Sequence, residues 1–245
     1  MSNDVIISVK NVKRLYKLGD EEVWALNGVD LDIMRGEYLS IMGPSGSGKS
    51  TLFNMIGGLD IPTDGEVLID GINLKEMNQK QIAYVRCRKI GFIFQTFNLI
   101  EVMTARENVM LPIIFGGATD EEASEKAVEL LDKVGLQGRY DHLPGQLSGG
   151  QQQRVAVARA LANTPAVILA DEPTANLDLK TGEELIETLK RLKDSFGVTI
   201  ISATHDHKML AASDRVVYLE DGKIVDIKTS DQLDISFGLI DGEDD

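Results

Sequence analysis

The sequence predicts an α/β fold: a mainly parallel sheet with helices packed on it, preceded by an N-terminal antiparallel β subdomain and interrupted by an inserted α-helical subdomain. Three observations predict it. Short continuous apolar runs at residues 38–42, 166–170 and 198–204 have the unbroken hydrophobicity of parallel strands buried on both faces. Helical patterns follow the first two runs, the alternation expected of βαβ units. From about residue 96 to 162 the texture changes to helical periodicity with capping signals.

The first elements, at residues 6–18 and 23–33, are β-type runs with turn residues between them, an antiparallel sheet ahead of the first parallel strand. Tyr16 lies in the first run; from spacing alone it is a residue packed on a strand face rather than an aromatic stacked on a base. The apolar run 38–42 then leads into Gly43-Pro44-Ser45-Gly46-Ser47-Gly48-Lys49-Ser50-Thr51. Gly43-x-x-x-x-Gly48-Lys49-Ser50 fits the P-loop pattern at every required position, between a strand and a helix, and so marks the core of a P-loop NTPase. The glycines let backbone N–H groups turn inward around a polyphosphate, and the following helix adds the positive end of its dipole. Lys49 reaches the outer phosphates, and the Ser50 hydroxyl can ligate Mg2+.

Residues 65–71 read as a strand and a tight turn, and residues 90–94 as a buried strand ending at Gln95. Thr119-Asp120-Glu121-Glu122 is a capping box, and Ala123, Ala127, Leu130, Leu131 and Val134 recur with helical period until Gly135 closes the helix. Ser148 is placed to cap a helix over residues 155–162, and the adjacent Gly149 and Gly150 expose backbone N–H groups as a second anion site. The run 166–170 ends in Asp171-Glu172-Pro173, two carboxylates at the carboxyl end of a strand, facing the ligand crevice of an α/β sheet. One can hold Mg2+ beside Ser50 while the other orients water. A helix with Leu185, Leu189, Leu192 and Phe196 on one face stops at Gly197, and His205 stands just beyond the strand 198–204, beside the same site. An Asp221-Gly222 turn between apolar runs predicts a hairpin at a sheet edge. The whole, residues 1–245, reads as a single domain: residues 1–95 and 163–245 form the nucleotide-binding core with its β subdomain, and residues 96–162 the helical subdomain.

Composition narrows the partners. A formal charge of −14 over 245 residues argues against nucleic acid, whose phosphates need a basic face. The short basic run Arg86-Cys87-Arg88-Lys89 reads as a solvated helix face. No apolar run approaches the roughly 18 residues that span a bilayer, and no basic start leads into an apolar core, so a cytoplasmic location is expected. Cys87 is the sole cysteine, which excludes an internal disulfide and predicts a reduced thiol. The acidic tail 241–245 is expected to be frayed and solvated.

At Leu147-Ser148-Gly149-Gly150-Gln151 the chain resembles the ATPase subunit of an ABC transporter, and the resemblance covers nearly all of it. The P-loop, Gln95, this signature, Asp171-Glu172 and His205 stand in the family's order. The resemblance implies ATP and Mg2+ as cofactors and makes Tyr16 the adenine-stacking aromatic. It assigns Gln95 to Mg2+ or the attacking water and to the link with the helical subdomain. By the same resemblance Asp171 is a metal residue beside Ser50, Glu172 the general base or water-orienting carboxylate and His205 a γ-phosphate contact. Residues 175–178, ending in Asp178, match the loop that crosses between subunits. A single P-loop and a single signature imply a head-to-tail homodimer burying two ATP molecules, bound to an integral-membrane permease at the cytoplasmic face of the membrane. Ala25-Leu-Asn-Gly-Val and the stretches 53–66 and 94–108 resemble the lipoprotein-releasing and macrolide-exporter (LolD and MacB) subgroup, which implies export or extrusion. Glu101 and Arg106 depart from that subgroup's proline and leucine, near the surface that would meet the permease. The rival expectation is a cell-division-type coupler that transmits its ATP cycle to an extracytoplasmic partner and transports nothing.

Overall fold

The computed structural model describes residues 4–19 and 21–233; the tail 241–245 lies outside the described residues. The chain opens with two 14-residue strands, β1 (Val5–Leu18) and β2 (Glu21–Met34), paired antiparallel. They are longer than the short runs expected, because register shifts let them bend rather than stop: Asn11 and Gly28, both at positive φ, lie in the bulged stretch. Next come β3 (Tyr38–Met42), α1 (Lys49–Ile56), β4 (Asp64–Ile69) and the two-residue β5 (Ile72–Asn73). They are followed by α2 (Gln79–Lys89), β6 (Ile90–Ile93), α3 (Ala105–Phe115), α4 (Asp120–Lys133) and α5 (Gly149–Ala160). The chain continues through β7 (Val167–Asp171), α6 (Leu179–Phe196), β8 (Thr199–Ala203), α7 (His207–Ala211), β9 (Arg215–Glu220) and β10 (Lys223–Thr229).

Two sheets result. An antiparallel sheet has the order β2-β1-β4-β5, and a six-stranded sheet the order β10-β9-β3-β8-β7-β6, parallel throughout except for the edge strand β10. The expected edge hairpin is therefore present, with Asp221 and Gly222 both at positive φ in its turn. Two apolar clusters hold the layers. One fills the space between the sheets and α1, with Ile7, Leu26, Ile41, Leu52 and Ile201. The other joins the far face of the six-stranded sheet to α3, α4, α5 and α6 through Ile168, Val109, Leu131, Val155 and Leu189. Each fully buried side chain of this kind contributes about 1.5–3 kcal/mol.

The Thr119 capping box forms as expected, and Gly135 sits at φ +76° just past the end of α4. One expectation is corrected. Phe196 does not share the buried face of α6: it is 49% exposed, with the Lys133 ammonium 5.2 Å from its ring centroid. Eleven residues separate it from Leu185, three turns at 3.6 residues per turn, but it is the last residue of the helix, where little remains to cover it. No helix among the described residues is long and apolar enough to cross a membrane.

Candidate nucleotide site

Strand register assembles the site. Ala203 of β8 stands opposite Ile41 of β3 on one side and Asp171 of β7 on the other, so three parallel strands end at one level and their following loops share a crevice. Two glycines of the β3–α1 loop are required by their surroundings. A Cβ on Gly43 would sit 2.1 Å from the Leu219 carbonyl oxygen, and one on Gly48, at φ +104°, 2.4 Å from the Ala25 carbonyl oxygen. The Gly222 N–H donates to the Ser47 carbonyl (3.0 Å), pinning the loop to the β9–β10 turn.

The loop is prepared for an anion. Gly48 caps α1 and offers no side chain to its first turn, which leaves backbone N–H groups for a ligand. The Ser47 hydroxyl is buried without a hydrogen-bond partner, so a polar ligand at the loop would relieve an unsatisfied group. Lys49 folds back over the loop, its Nζ donating to the carbonyls of Gly43 (2.6 Å) and Pro44 (2.9 Å).

Opposite the loop stand the acidic pair and the histidine. Burial and the neighbouring Glu172 push the Asp171 carboxyl above its ordinary range, and Lys49 pulls it partly back. Glu172 sits in the left-handed region, at φ +43°, with its N–H donated to the Ala203 carbonyl (2.9 Å). For a residue with a Cβ this conformation is uncommon, and it concentrates at functional sites. Glu172 Oε1 lies 3.4 Å from His205 Nδ1, and the His205 ring is 73% exposed at the mouth. Residues 43–46 and 48–51, Ala25, Asp171, Glu172 and His205 line one cavity of about 590 Å3. Ser50 and Asp171 together offer the hydroxyl and carboxylate of a Mg2+ site. Among the described residues no group of three or more His, Cys, Asp or Glu is placed to hold a metal ion by itself. The donor set thus fits a cation held jointly with substrate phosphates rather than in an all-protein cage.

Several sequence-predicted residues lie outside this cavity. The Tyr16 hydroxyl donates to Asp60 (3.0 Å), while Arg14 pairs with the same carboxylate (2.8 Å) and sits 4.7 Å from the Tyr16 ring centroid. Gln95 is exposed; its carbonyl accepts from Asn176 (2.9 Å), tying the loop after β6 to the loop before α6. Ser148 caps α5, its hydroxyl accepting the Gln151 N–H (3.3 Å) while the Gln151 side chain accepts the Ser148 N–H (3.0 Å). A Cβ on Gly150 would meet Thr181 at 2.4 Å, so the first turns of α5 and α6 are packed together. Asp178 caps α6 through Thr181 (3.1 Å to N–H, 2.6 Å to hydroxyl). Three participants carry no earlier assignment. The Ala25 carbonyl stands against Gly48 of the loop, a backbone contact that periodicity does not mark. Asn176 stands inside the crossing-loop motif, and buried Gln153 ties α5 to the Glu172 turn by donating to the Pro173 carbonyl (2.7 Å).

A family profile described as ABC transporter matches residues 26–175. The uncharacterized ABC transporter ATP-binding protein MJ0796 of Methanocaldococcus jannaschii is 51% identical over 223 residues, covering 89% of this chain and 95% of that protein. A macrolide export ATP-binding/permease protein MacB of Hyphomonas neptunium is 51% identical over 220 residues, but this chain spans only 34% of its length. The dimeric post-hydrolysis structure of the MJ0796 cassette bound to ADP and Pi superposes with a TM-score of 0.85 at 49% identity, covering 91% of this chain and 98% of that one. Cavity, fold and relatives agree, and the chain belongs to the ABC transporter family as one of its ATP-binding, ATP-hydrolysing cassettes.

Proposed function

We propose that this cassette binds Mg2+-ATP, pairs head to tail with a second copy of itself, and drives a separate membrane permease in export or extraction. The observation that carries the reading is the division of the anion-binding parts. The P-loop, Asp171, Glu172 and His205 share one cavity, while Ser148 and the exposed start of α5 lie outside it. A second copy would supply to each cavity the helix N-terminus that its own chain leaves outside. The dimeric form of the MJ0796 cassette and the exporter names among the relatives support this reading.

In this reading the loop N–H groups and Lys49 hold the phosphates, and Tyr16, gripped by Asp60 and Arg14, is the adenine platform. Ser50 and Asp171 would hold Mg2+, which when bound would offset the charge on the outer phosphates. Glu172 takes the proton of the attacking water and His205 contacts the γ-phosphate. Gln95 reports the state of the site to the helical layer. Ser148, Gly149, Gly150 and Gln151 of the partner copy close over the γ-phosphate, with Asp178 in the loop that crosses between copies. Loss of that phosphate removes the bridge and reopens the dimer. The permease holds the cassette at the cytoplasmic face of the membrane.

Asp171 gives the site a pH dependence. It must be ionised to hold Mg2+, and its raised pKa means that it takes up a proton at a higher pH than an ordinary aspartate. On acidification from neutral pH, Mg2+-dependent ATP binding is therefore expected to fall before Mg2+-free binding does, measured by calorimetric titration. An unchanged Mg2+ increment would remove Asp171 from the metal.

The reading as a whole is tested by purifying the cassette from its native membranes in mild detergent and identifying what accompanies it by mass spectrometry. The expected companion is a permease with few membrane-spanning helices and a large extracytoplasmic domain. A companion solute-binding protein would make the system an importer instead. Reconstituted vesicles that hydrolyse ATP and move no solute would favour the coupling role.

A further inference from the structure

Gln153 is a glutamine where packing asks for an aliphatic side chain. It lies just past the first turn of α5 and is 1% exposed, in a helix whose Val155, Val157 and Ala158 are also buried. Its amide donates to the Pro173 carbonyl (2.7 Å), while its Oε1 is buried with no hydrogen-bond partner among the described residues. Turning the amide over would not help, because the Pro173 carbonyl only accepts and needs the NH2 group. A buried acceptor left alone is unfavourable, and leucine in its place would carry no such penalty. What the glutamine supplies in return is a hold on Pro173.

That hold falls on the turn that carries Glu172. Glu172 precedes a proline and stands at φ +43°, two restrictions on one residue, and such a conformation persists only where its surroundings fix it from several sides. Three ties do so. The Glu172 N–H donates to the Ala203 carbonyl at the end of β8 (2.9 Å), the Thr174 hydroxyl donates to Asp206 next to His205 (3.0 Å), and Gln153 holds the carbonyl between them. The first two come from β8 and the His205 loop, which belong to the cavity's own wall. The third comes from α5, whose start at Ser148 and Gly149 lies outside that cavity. Gln153 stands about 7.5 Å along the helix axis from Ser148.

We infer that Gln153 is a positioning residue for hydrolysis: it fixes the Pro173 carbonyl, and with it the aim of Glu172, from the helix on which the partner copy's ATP is seated. The inference rests on the head-to-tail reading above and adds the link inside each chain. In that pairing α5 of one copy closes on the ATP held by the P-loop of the other, while Glu172 of the first copy serves its own ATP. Gln153 thus joins the two cavities. A phosphate at the start of α5 steadies the helix, the helix steadies Pro173, and the carboxylate beside it is held on the line of attack. Small displacements are enough for this to matter, since moving a reacting group by about 1 Å costs up to about 100-fold in rate.

The test fuses two full chains in tandem, gives one half Glu172→Gln so that a single hydrolysing site remains, preloads ATP and starts one round of hydrolysis with Mg2+. Gln153→Leu in the hydrolysing half should slow that round about tenfold or more. The same substitution in the other half should leave the round close to the parent rate. ATP affinity should be unchanged in both, and the melting temperature unchanged or raised, because leucine removes the orphaned acceptor. Emptying the other half's P-loop with Lys49→Ala should also slow the hydrolysing site, and Gln153→Leu should then add little further loss. An equal effect from either half, or a loss that tracks a fall in ATP affinity or in melting temperature, overturns the positioning role. Effects of Lys49→Ala and Gln153→Leu that multiply in full overturn the link between cavities. Ser148→Arg in the non-hydrolysing half isolates the reading underneath: head-to-tail pairing requires it to block the hydrolysing site, and hydrolysis at the parent rate would overturn the pairing itself.

Discussion

Glu172→Gln should slow ATP turnover by about 100-fold or more, a rise of at least about 2.7 kcal/mol in the barrier, while leaving nucleotide binding intact. Glutamine keeps the length and planarity of the side chain. It also keeps the backbone N–H that Glu172 donates to Ala203 and that holds this residue in the left-handed region. The lost feature is the ability to take a proton, so the effect is on chemistry rather than folding. A second consequence follows from charge. Two chains of −14 each, closing on two triphosphates, repel one another, and the substitution removes one carboxylate from each buried site. With hydrolysis slowed and repulsion lowered, the ATP-loaded dimer should accumulate and be visible by size exclusion, whereas ADP should leave the protein monomeric. Hydrolysis at the parent rate would remove Glu172 from its assigned role.

The nucleotide cavity was legible because its chemistry is written in short contiguous stretches at strand ends. Gly43 to Thr51, Asp171-Glu172 and His205 each follow an apolar run, and the sheet brings those ends together. What periodicity does not reveal is strand order. β3 lies between β8 and β9, which come from the far end of the chain, and strands buried on both faces all look alike in sequence. The helices whose bounds the sequence did not mark have physical reasons too. In α2 only Ile82 and Val85 are buried, so no apolar stripe forms, although the Asn78–Gln81 capping box was a readable start. In α3 an interior Pro112 reads as a break, while the Thr104–Glu107 capping box pointed the other way. α7, at five residues, is too short for a period. The basic run at Arg86 reads as a solvated face because sequence cannot tell that Arg86 lines a groove with Leu111, Phe115 and Arg159, or that Lys89 pairs with Asp70. Tyr16 shows the same limit: its Asp60 partner lies 44 positions away.

Lys49→Ala should weaken Mg2+-ATP binding by more than the loss of one cation explains, and should abolish turnover. Removing a charge-assisted hydrogen bond costs about 1.5–3 kcal/mol, roughly tenfold to hundredfold in Kd. Lys49 also acts on Asp171. Burial and Glu172 raise that carboxyl, and Lys49 is what opposes them. Without Lys49 the folded-state pKa of Asp171 rises further, so at a fixed pH a smaller fraction is ionised and available to Mg2+. The two losses separate in a titration of ATP with and without Mg2+ at two pH values. The Mg2+-free affinity should fall by the phosphate contact alone, the Mg2+-dependent increment should shrink as well, and raising the pH should recover part of the increment but none of the contact. Equal losses with and without Mg2+ would uncouple Lys49 from Asp171. An affinity equal to that of the parent protein would remove Lys49 from the phosphates, in conflict with the position its Nζ holds over the Gly43 and Pro44 carbonyls.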